Sequence, residues 1–255
     1  MANGLDALTG RSLVAVDPDL PANRIDAFVS VLESLPVKAS LPPFSMVDVE
    51  KFTELGIAVV PLPPAILEAL LEAFPFPGVS IGPERVLQIP SGGEVLGLAS
   101  HASILEAMKV KATPSGAVKV AVLDSGYAPH PDFKARTMLS DSLGTNATLD
   151  TRGHGTQCIG LACGPVTPYD GSRRYGMAYG STILNGHVTS TVGVVCDCTI
   201  IRGIRWASNQ GAAVVNISAG TAPYLGGYSA QLDAAALRAK RNGVLVIAAA
   251  GNNTE

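Results

Sequence analysis

The chain has 255 residues, of which 47% are apolar and 15% are charged, and its net charge is −3. This composition suits a globular protein with a buried core and excludes an intrinsically disordered chain. The slightly acidic balance offers no basic surface to a nucleic acid, and no apolar run approaches the about 20 residues that span a bilayer. We therefore expect no nucleic-acid partner and no membrane partner.

Strand and helix signals alternate through residues 11–90. Apolar residues at helical spacing predict two helices, and β-branched or apolar runs predict the strands around them. The order β-α-β-β-α-β predicts a small ferredoxin-like domain, an antiparallel sheet with two helices on one face. The predicted elements are strand Ser12–Asp17, helix Arg24–Leu35, strands Val37–Ser40 and Gly56–Pro61, helix Pro63–Phe74, and extended pieces Val79–Ile81 and Arg85–Ile89.

The composition changes at residues 91–116, which glycine-containing turns bracket at both ends. We interpret this segment as a linker and the start of a second domain that continues over 117–255. In the second domain, apolar runs alternate with helical segments, which predicts a mostly parallel sheet with helices on both faces. Ligands of such sheets bind at the carboxyl ends of the strands. The runs are 118–123, 182–184, 213–217 and 244–250.

Polar residues stand at three of the positions where this sheet should bind a ligand. Asp124 ends the first apolar run, His154 begins a helix between two glycines, and Asn252 follows the last apolar run. Taken singly, an aspartate at a strand end is commonly a turn residue, and a lone histidine is more often structural. Their combination in this order is far more specific.

These stretches resemble the subtilisin family of serine proteases. The chain carries the family's signatures as Val-Leu-Asp124-Ser-Gly, Gly-His154-Gly-Thr and Ala-Ala-Gly-Asn252. The resemblance covers the chain from about residue 100 to its end and implies a subtilisin-like fold that hydrolyses peptide bonds. Residues 11–90 resemble the family's inhibitory propeptide, so the resemblance also implies a zymogen that processes itself.

The resemblance implies a role for each of these residues. His154 would take the proton of a serine nucleophile and deliver it to the leaving amine. Asp124 would hold the other ring N–H of that histidine, and Asn252 would donate its side-chain amide to the oxyanion. This chemistry requires no cofactor. A structural calcium is compatible with the resemblance, and Asp132 is a candidate ligand for it.

The segment Ser218-Ala219-Gly220 resembles the edge with which the family binds extended peptides. Main-chain hydrogen bonds along this edge would hold a peptide or protein substrate, with Gly193 on the facing edge. The family usually has leucine where this chain has Ala219. The smaller residue should enlarge the apolar subsite that leucine would fill.

The four cysteines lie between positions 158 and 198. Cys158 follows His154 by one helical turn, and we interpret it as core packing or as a thiol-sensitive site. The spacing of the cysteines does not match a zinc knuckle, so we predict no metal site. We assign no chemistry to Cys196 and Cys198.

No serine of the chain stands in the context of the family's nucleophile. We therefore expect a C-terminal fragment of the same protease to carry it, either because the enzyme is split after Glu255 or because this sequence is shortened there. The chain's own propeptide would be a further partner, as an inhibitor. A catalytically inactive pseudoprotease and a prodomain-type protease inhibitor are the alternatives. The start of the sequence shows no signal peptide and assigns no compartment.

Overall fold

The computed structural model describes residues 8–35, 48–89, 118–143, 149–190, 193–220 and 228–250. The chain forms two compact units. The first comprises residues 1–87 together with 196–205 and 221–243, and the second comprises 88–195, 206–220 and 244–255. The predicted linker at 91–116, the predicted strand Val37–Ser40 and the predicted oxyanion residue Asn252 lie outside the described residues.

The first unit contains an antiparallel sheet in which four strands follow the order β2-β3-β1-β4. Strand β1 is central, and its Val14 lies opposite Ala58 of β3 and Ile81 of β4. The predicted extended pieces near residues 79 and 89 are one strand, since Gly82 and Pro83 also pair with β1 and the register shifts only between Pro83 and Arg85. The elements are β1 (Leu8–Val16), α1 (Arg24–Ser34), β2 (Glu50–Phe52), β3 (Ile57–Val60), α2 (Pro64–Ala73) and β4 (Val79–Gln88).

Helix α1 packs one apolar face into the core of this unit. Its buried residues recur at helical spacing, so a single stripe faces the sheet. Helix α2 begins with Pro64, whose fixed φ and missing N–H suit the first turn of a helix. The core includes Val14, Val16, Ile25, Phe28, Val29, Leu32, Ala58, Val60, Leu62 and Leu67, all buried.

The second unit contains a parallel sheet with strand order β10-β9-β5-β7-β6, as the apolar runs predict. Helix α3 packs against the central strand β5, where Ile159 and Cys163 contact Val120 and Val122. The elements after residue 117 are β5 (Lys119–Asp124), β6 (Met138–Asp141), α3 (His154–Cys163), β7 (Thr182–His187), β8 (Val194–Cys196), α4 (Asp197–Asn209), β9 (Val214–Ile217), α5 (Ala230–Arg241) and β10 (Leu245–Ala248).

Parts of helices α4 and α5 belong to the first unit. Helix α5 is capped by Ser229, whose hydroxyl accepts the N–H of Leu232 at 3.1 Å. Within the described ranges, no helix combines the length and the apolar character needed to cross a membrane.

Candidate active site

Asp124 lies at the carboxyl end of the central strand of the parallel sheet. Neighbouring strands β7 and β9 pair with β5 on both sides, and the Asp124 side chain is fully buried. One of its oxygens accepts the backbone N–H of Ser125 at 2.6 Å. The strand's apolar residues anchor it between two neighbours, so the carboxylate is held at a fixed place on the sheet edge.

His154 meets this carboxylate from the first turn of helix α3. Its Nδ1 lies 2.9 Å from Oδ1 and 3.0 Å from Oδ2 of Asp124. The carboxylate accepts the Nδ1 proton, which leaves Nε2 as the nitrogen that can exchange a proton with a substrate. The hydrogen bond to Asp124, together with a contact to Cys158, raises the pKa of His154 to about 10 against the opposing effect of burial.

Two glycines allow the histidine to approach the aspartate. A Cβ on Gly155 would lie 2.3 Å from the carbonyl oxygen of Gly126, so only glycine lets the start of α3 come this close to the turn after β5. Gly153 precedes the helix with a φ of 76°, in the left-handed region. Gly155 is therefore required by packing, whereas Gly153 is favoured by its backbone conformation.

Asp150 accepts several hydrogen bonds beside Asp124 and His154, although the sequence analysis did not indicate this role. Its Oδ1 accepts the hydroxyl of Ser125 at 2.9 Å and the N–H of Gly153 at 2.8 Å. Its Oδ2 accepts the N–H and the hydroxyl of Thr156, at 2.8 and 2.7 Å. Burial opposes the charge, but these hydrogen bonds outweigh it and lower the pKa of Asp150. An aspartate four residues before a glycine-flanked histidine was the available signal.

His187 is a second residue that the sequence analysis missed. It ends β7 directly opposite Asp124 and is buried, with Thr189 Oγ1 3.5 Å from its Nε2. Burial lowers the pKa of His187, so this imidazole is neutral at ordinary pH. It therefore places a polar but uncharged side chain beside Asp124 at the carboxyl end of the sheet.

Cys158 lies one helical turn after His154, as its spacing predicts. Its sulfur is 3.7 Å from Nδ1 of His154 and donates to Oγ of Ser218 at 3.6 Å. The amide of Asn216 also donates to that hydroxyl, at 2.9 Å. These contacts connect the acid–base pair to the end of strand β9.

After β9, the backbone of Ser218, Ala219 and Gly220 forms an edge. An extended segment of the chain pairs with this edge at Gly220. Gly220 exchanges two backbone hydrogen bonds with Gln88, of 2.9 and 3.1 Å, in antiparallel fashion. On the other side, the N–H of Ile89 donates to the carbonyl oxygen of Gly193 at 3.1 Å. Gly193 and Gly220 thus face each other across one extended chain. Ala219 is buried beside it.

The surroundings of Asp132 do not suit a calcium ion. Its carboxylate accepts the N–H of Tyr169 at 2.6 Å and the hydroxyl of Tyr175, and Nδ1 of His130 lies 3.8 Å away. Burial and the hydrogen bond to Asp132 raise the pKa of Tyr175, so its hydroxyl keeps the donated proton. These donors occupy the oxygens that calcium would need. A structural calcium at another position stays a prediction.

The comparison with protein families agrees with this geometry. The model of the subtilase family matches residues 115–255, which is more than half of the chain. The chain belongs to the subtilase family. It is therefore related to serine proteases that hydrolyse peptide bonds.

Individual relatives point the same way. A subtilisin-like protease of Coccidioides posadasii is 35% identical over 175 residues, which cover 65% of this chain and 40% of that protein. Subtilisin Savinase of Lederbergia lenta is 37% identical over 142 residues, which cover 55% of this chain and 49% of that protein. The chain thus spans less than half the length of these relatives.

Among solved structures, fervidolysin from Fervidobacterium pennivorans, a keratinolytic enzyme related to subtilisin, superposes with a TM-score of 0.63 and 20% sequence identity. The match covers 97% of this chain and 40% of the fervidolysin chain. At this identity the likeness shows the fold: the subtilase α/β architecture with its parallel sheet.

Proposed function

We propose that the chain supplies the acid–base half of a serine endopeptidase active site, with residues 11–90 as its inhibitory propeptide. One observation carries the proposal. The buried carboxylate of Asp124 holds Nδ1 of His154 at 2.9 Å on the carboxyl edge of a parallel sheet. A buried aspartate that orients a histidine is the arrangement that activates a serine hydroxyl.

The proposed reaction uses the two faces of the imidazole. Nε2 of His154 takes the proton of the serine hydroxyl as the oxygen attacks the substrate carbonyl carbon. Asp124 stabilises the imidazolium that forms, and Nε2 then delivers the proton to the leaving amine. In the second half, water replaces the amine and the same proton transfers release the acid. The amide of Asn252 and the serine's own N–H would stabilise the oxyanion.

Substrate binding is proposed at the Gly193 and Gly220 edges. The backbone hydrogen bonds of Gln88 with Gly220 and of Ile89 with Gly193 support this proposal, because they hold an extended segment of the chain on both sides. Such bonds are independent of side chains and suit a protease that accepts many sequences. A peptide or protein substrate would form the same antiparallel pairing, and Gln88 would be displaced from it.

Contacts within the first unit support the proposal that its sheet is a propeptide. Arg238 of helix α5 donates to the carbonyl oxygens of Asp17 and Leu20, at 2.8 and 2.9 Å. Arg85 of strand β4 forms a buried ion pair with Asp197 at the start of helix α4. Segments from late in the chain thus pack with the early sheet, as a propeptide would pack with the enzyme it inhibits.

The serine nucleophile is proposed to lie on a further segment of the same protease. Strand β10 is an edge of the parallel sheet, and its Leu245 and Ile247 are each 46% exposed. Parallel sheets are normally covered on both faces. A serine-bearing segment that packs on this edge would bury these side chains and complete the catalytic site.

A pseudoprotease and a stand-alone inhibitor are the competing functions. Both would dispense with the hydrogen bond between His154 and Asp124, and neither would react with an active-site probe. A fluorophosphonate probe should label the complete gene product in a manner that His154→Ala abolishes. Labelling of neither protein, with both shown to be folded, would reject the protease. Residues 8–89, added in trans at micromolar concentration, should inhibit the labelling.

A further inference from the structure

Two cysteines that the sequence analysis left without a role lie together in the first unit. Cys196 ends strand β8, and Cys198 is in the first turn of helix α4. Both are free thiols, and their sulfur atoms lie within 4.8 Å of each other and of a carboxylate oxygen of Glu84. Cys198 is buried, whereas Cys196 is only partly buried.

The surroundings of the two sulfurs differ in a way that suits thiol exchange. A hydrogen bond from Cys198, aided by Thr199, lowers the pKa of the Cys196 thiol to about 7 against the effect of burial. The same hydrogen bond, burial and the charge of Glu84 raise the pKa of Cys198. The hydroxyl of Thr199 lies 3.0 Å from the sulfur of Cys196, and Nη2 of Arg11 donates to the sulfur of Cys198 at 3.3 Å. Each sulfur therefore has a polar neighbour that stabilises a thiolate.

Glu84 does not complete a metal site with these thiols. Its carboxylate accepts both Nε and Nη2 of Arg11, at 2.7 and 2.8 Å. It also accepts the hydroxyl of Thr9 and the N–H of Cys198. Four donors fill the lone pairs of this buried carboxylate, so two thiols remain as the reactive groups.

We propose that Cys196 and Cys198 are a thiol–disulfide site whose oxidation loosens strand β4 from helix α4. Two residues apart, their Cα atoms are at most about 7 Å apart, close to the range of disulfides. The proposal does not depend on the proposed protease activity, because it concerns only the two thiols and the contacts of β4.

The oxidant is a low-molecular-weight disulfide such as oxidised glutathione. The Cys196 thiolate attacks one of its sulfurs, forms a mixed disulfide and releases one glutathione thiolate. Cys198 then attacks the Cys196 sulfur, its proton passes to the second leaving glutathione, and the intrachain bond forms. Two protein thiols are oxidised and one glutathione disulfide is reduced to two thiols.

Oxidation should weaken the contacts between β4 and α4 because the two cysteines flank the residue that makes them. Forming the bond requires the sulfurs to approach from within 4.8 Å to about 2 Å, which moves the first turn of α4. Asp197 lies between the cysteines and accepts three hydrogen bonds of Arg85, from its N, Nε and Nη2, at 3.0 to 3.1 Å. The N–H of Cys198 also leaves Glu84. Both contacts connect β4 to the helix.

Trypsin provides an internal control for the experiment. Cleavage after Arg174 and Arg202 releases one peptide that contains Cys196 and Cys198 and no other cysteine. Cleavage after Arg152 and Arg173 releases one that contains only the other two cysteines. After incubation of the full chain with oxidised glutathione and alkylation, the first peptide should lose the mass of two hydrogen atoms and resist alkylation. The second should not.

Variants and hydrogen exchange test the mechanism. Cys198→Ser should stop at a mixed disulfide on Cys196, and Cys196→Ser should leave Cys198 reduced. In the oxidised full chain, amides of β4 should exchange about tenfold faster, whereas those of α3 should not change. Alkylation of both thiols despite excess oxidant would overturn the site, as would one zinc ion bound by both thiols that prevents oxidation. A disulfide with unchanged exchange in β4 would overturn the loosening.

Discussion

The two units hold their buried carboxylates in different ways. In the first unit, arginines neutralise them: Arg85 pairs with Asp197, and Arg11 pairs with Glu84. In the second unit, the partners are a histidine for Asp124 and backbone N–H groups and hydroxyls for Asp150.

This difference separates a constant contact from a switchable one. Arginine stays charged at every ordinary pH, so its ion pairs persist wherever the carboxylate is ionised. The raised pKa of His154, about 10, still lies below that of arginine, so the pair of His154 and Asp124 loses its charge at an alkaline pH at which the arginine pairs persist. The first arrangement suits the docking of a sheet on helices, and the second suits catalysis.

The largest expected effect is on the pair of His154 and Asp124. For the proposed protease activity, Asp124→Asn should lower kcat about 10⁴-fold, because the amide favours the wrong tautomer of His154. Asp141→Asn removes an exposed acid at the end of strand β6, which is separated from β5 by β7, and should leave kcat unchanged. Steady-state kinetics on a peptide substrate measure both. Equal kcat values for the two variants would contradict the proposed role of Asp124.

The next largest effect is on the buried ion pair of Arg85 and Asp197. Asp197→Ala removes a fully buried carboxylate and should lower the free energy of unfolding by about 3–5 kcal/mol, because the charge of Arg85 stays buried. The matched control is Glu50→Gln, which breaks a half-exposed pair with Arg202 and should cost less than about 1 kcal/mol. Urea unfolding of the full chain compares the two. Similar losses would show that burial does not distinguish these pairs.

A smaller effect concerns pH. The pKa of His154 is raised to about 10 in the folded chain from an ordinary value of 6.5. The stability that this pair contributes should be fully present below pH 6.5 and should be lost as the pH rises through about 10. His154→Gln should remove this slope, and His130→Gln should keep it. Thermal unfolding across this range gives the slope, and its persistence in His154→Gln would contradict the assignment.

The smallest effect concerns substrate choice at the Gly220 edge. Ala219→Leu fills space beside the extended chain and should reduce cleavage of substrates with a bulky apolar residue there by about tenfold. Ala219→Gly leaves the space open and should keep the preference. A peptide library reports both profiles. If they coincide with that of the wild type, Ala219 does not line the subsite.

Several features were determined by the sequence alone. Apolar runs placed four of the five strands of the parallel sheet, because a strand covered on both faces must be apolar throughout, but they did not indicate the largely exposed strand β6. The same runs placed Asp124 at a strand end, whereas the close approach that Gly155 allows became evident only in the structure. The family follows from the same local stretches.

Other features were decided only by the tertiary structure. Nothing near Asp197 in the sequence indicates Arg85, which is 112 positions away. The spacing of Cys196 and Cys198 likewise does not indicate that a carboxylate oxygen of Glu84 lies within 4.8 Å of both sulfurs. Local patterns report which residues are buried, whereas the partner of a buried charge depends on the path of the whole chain.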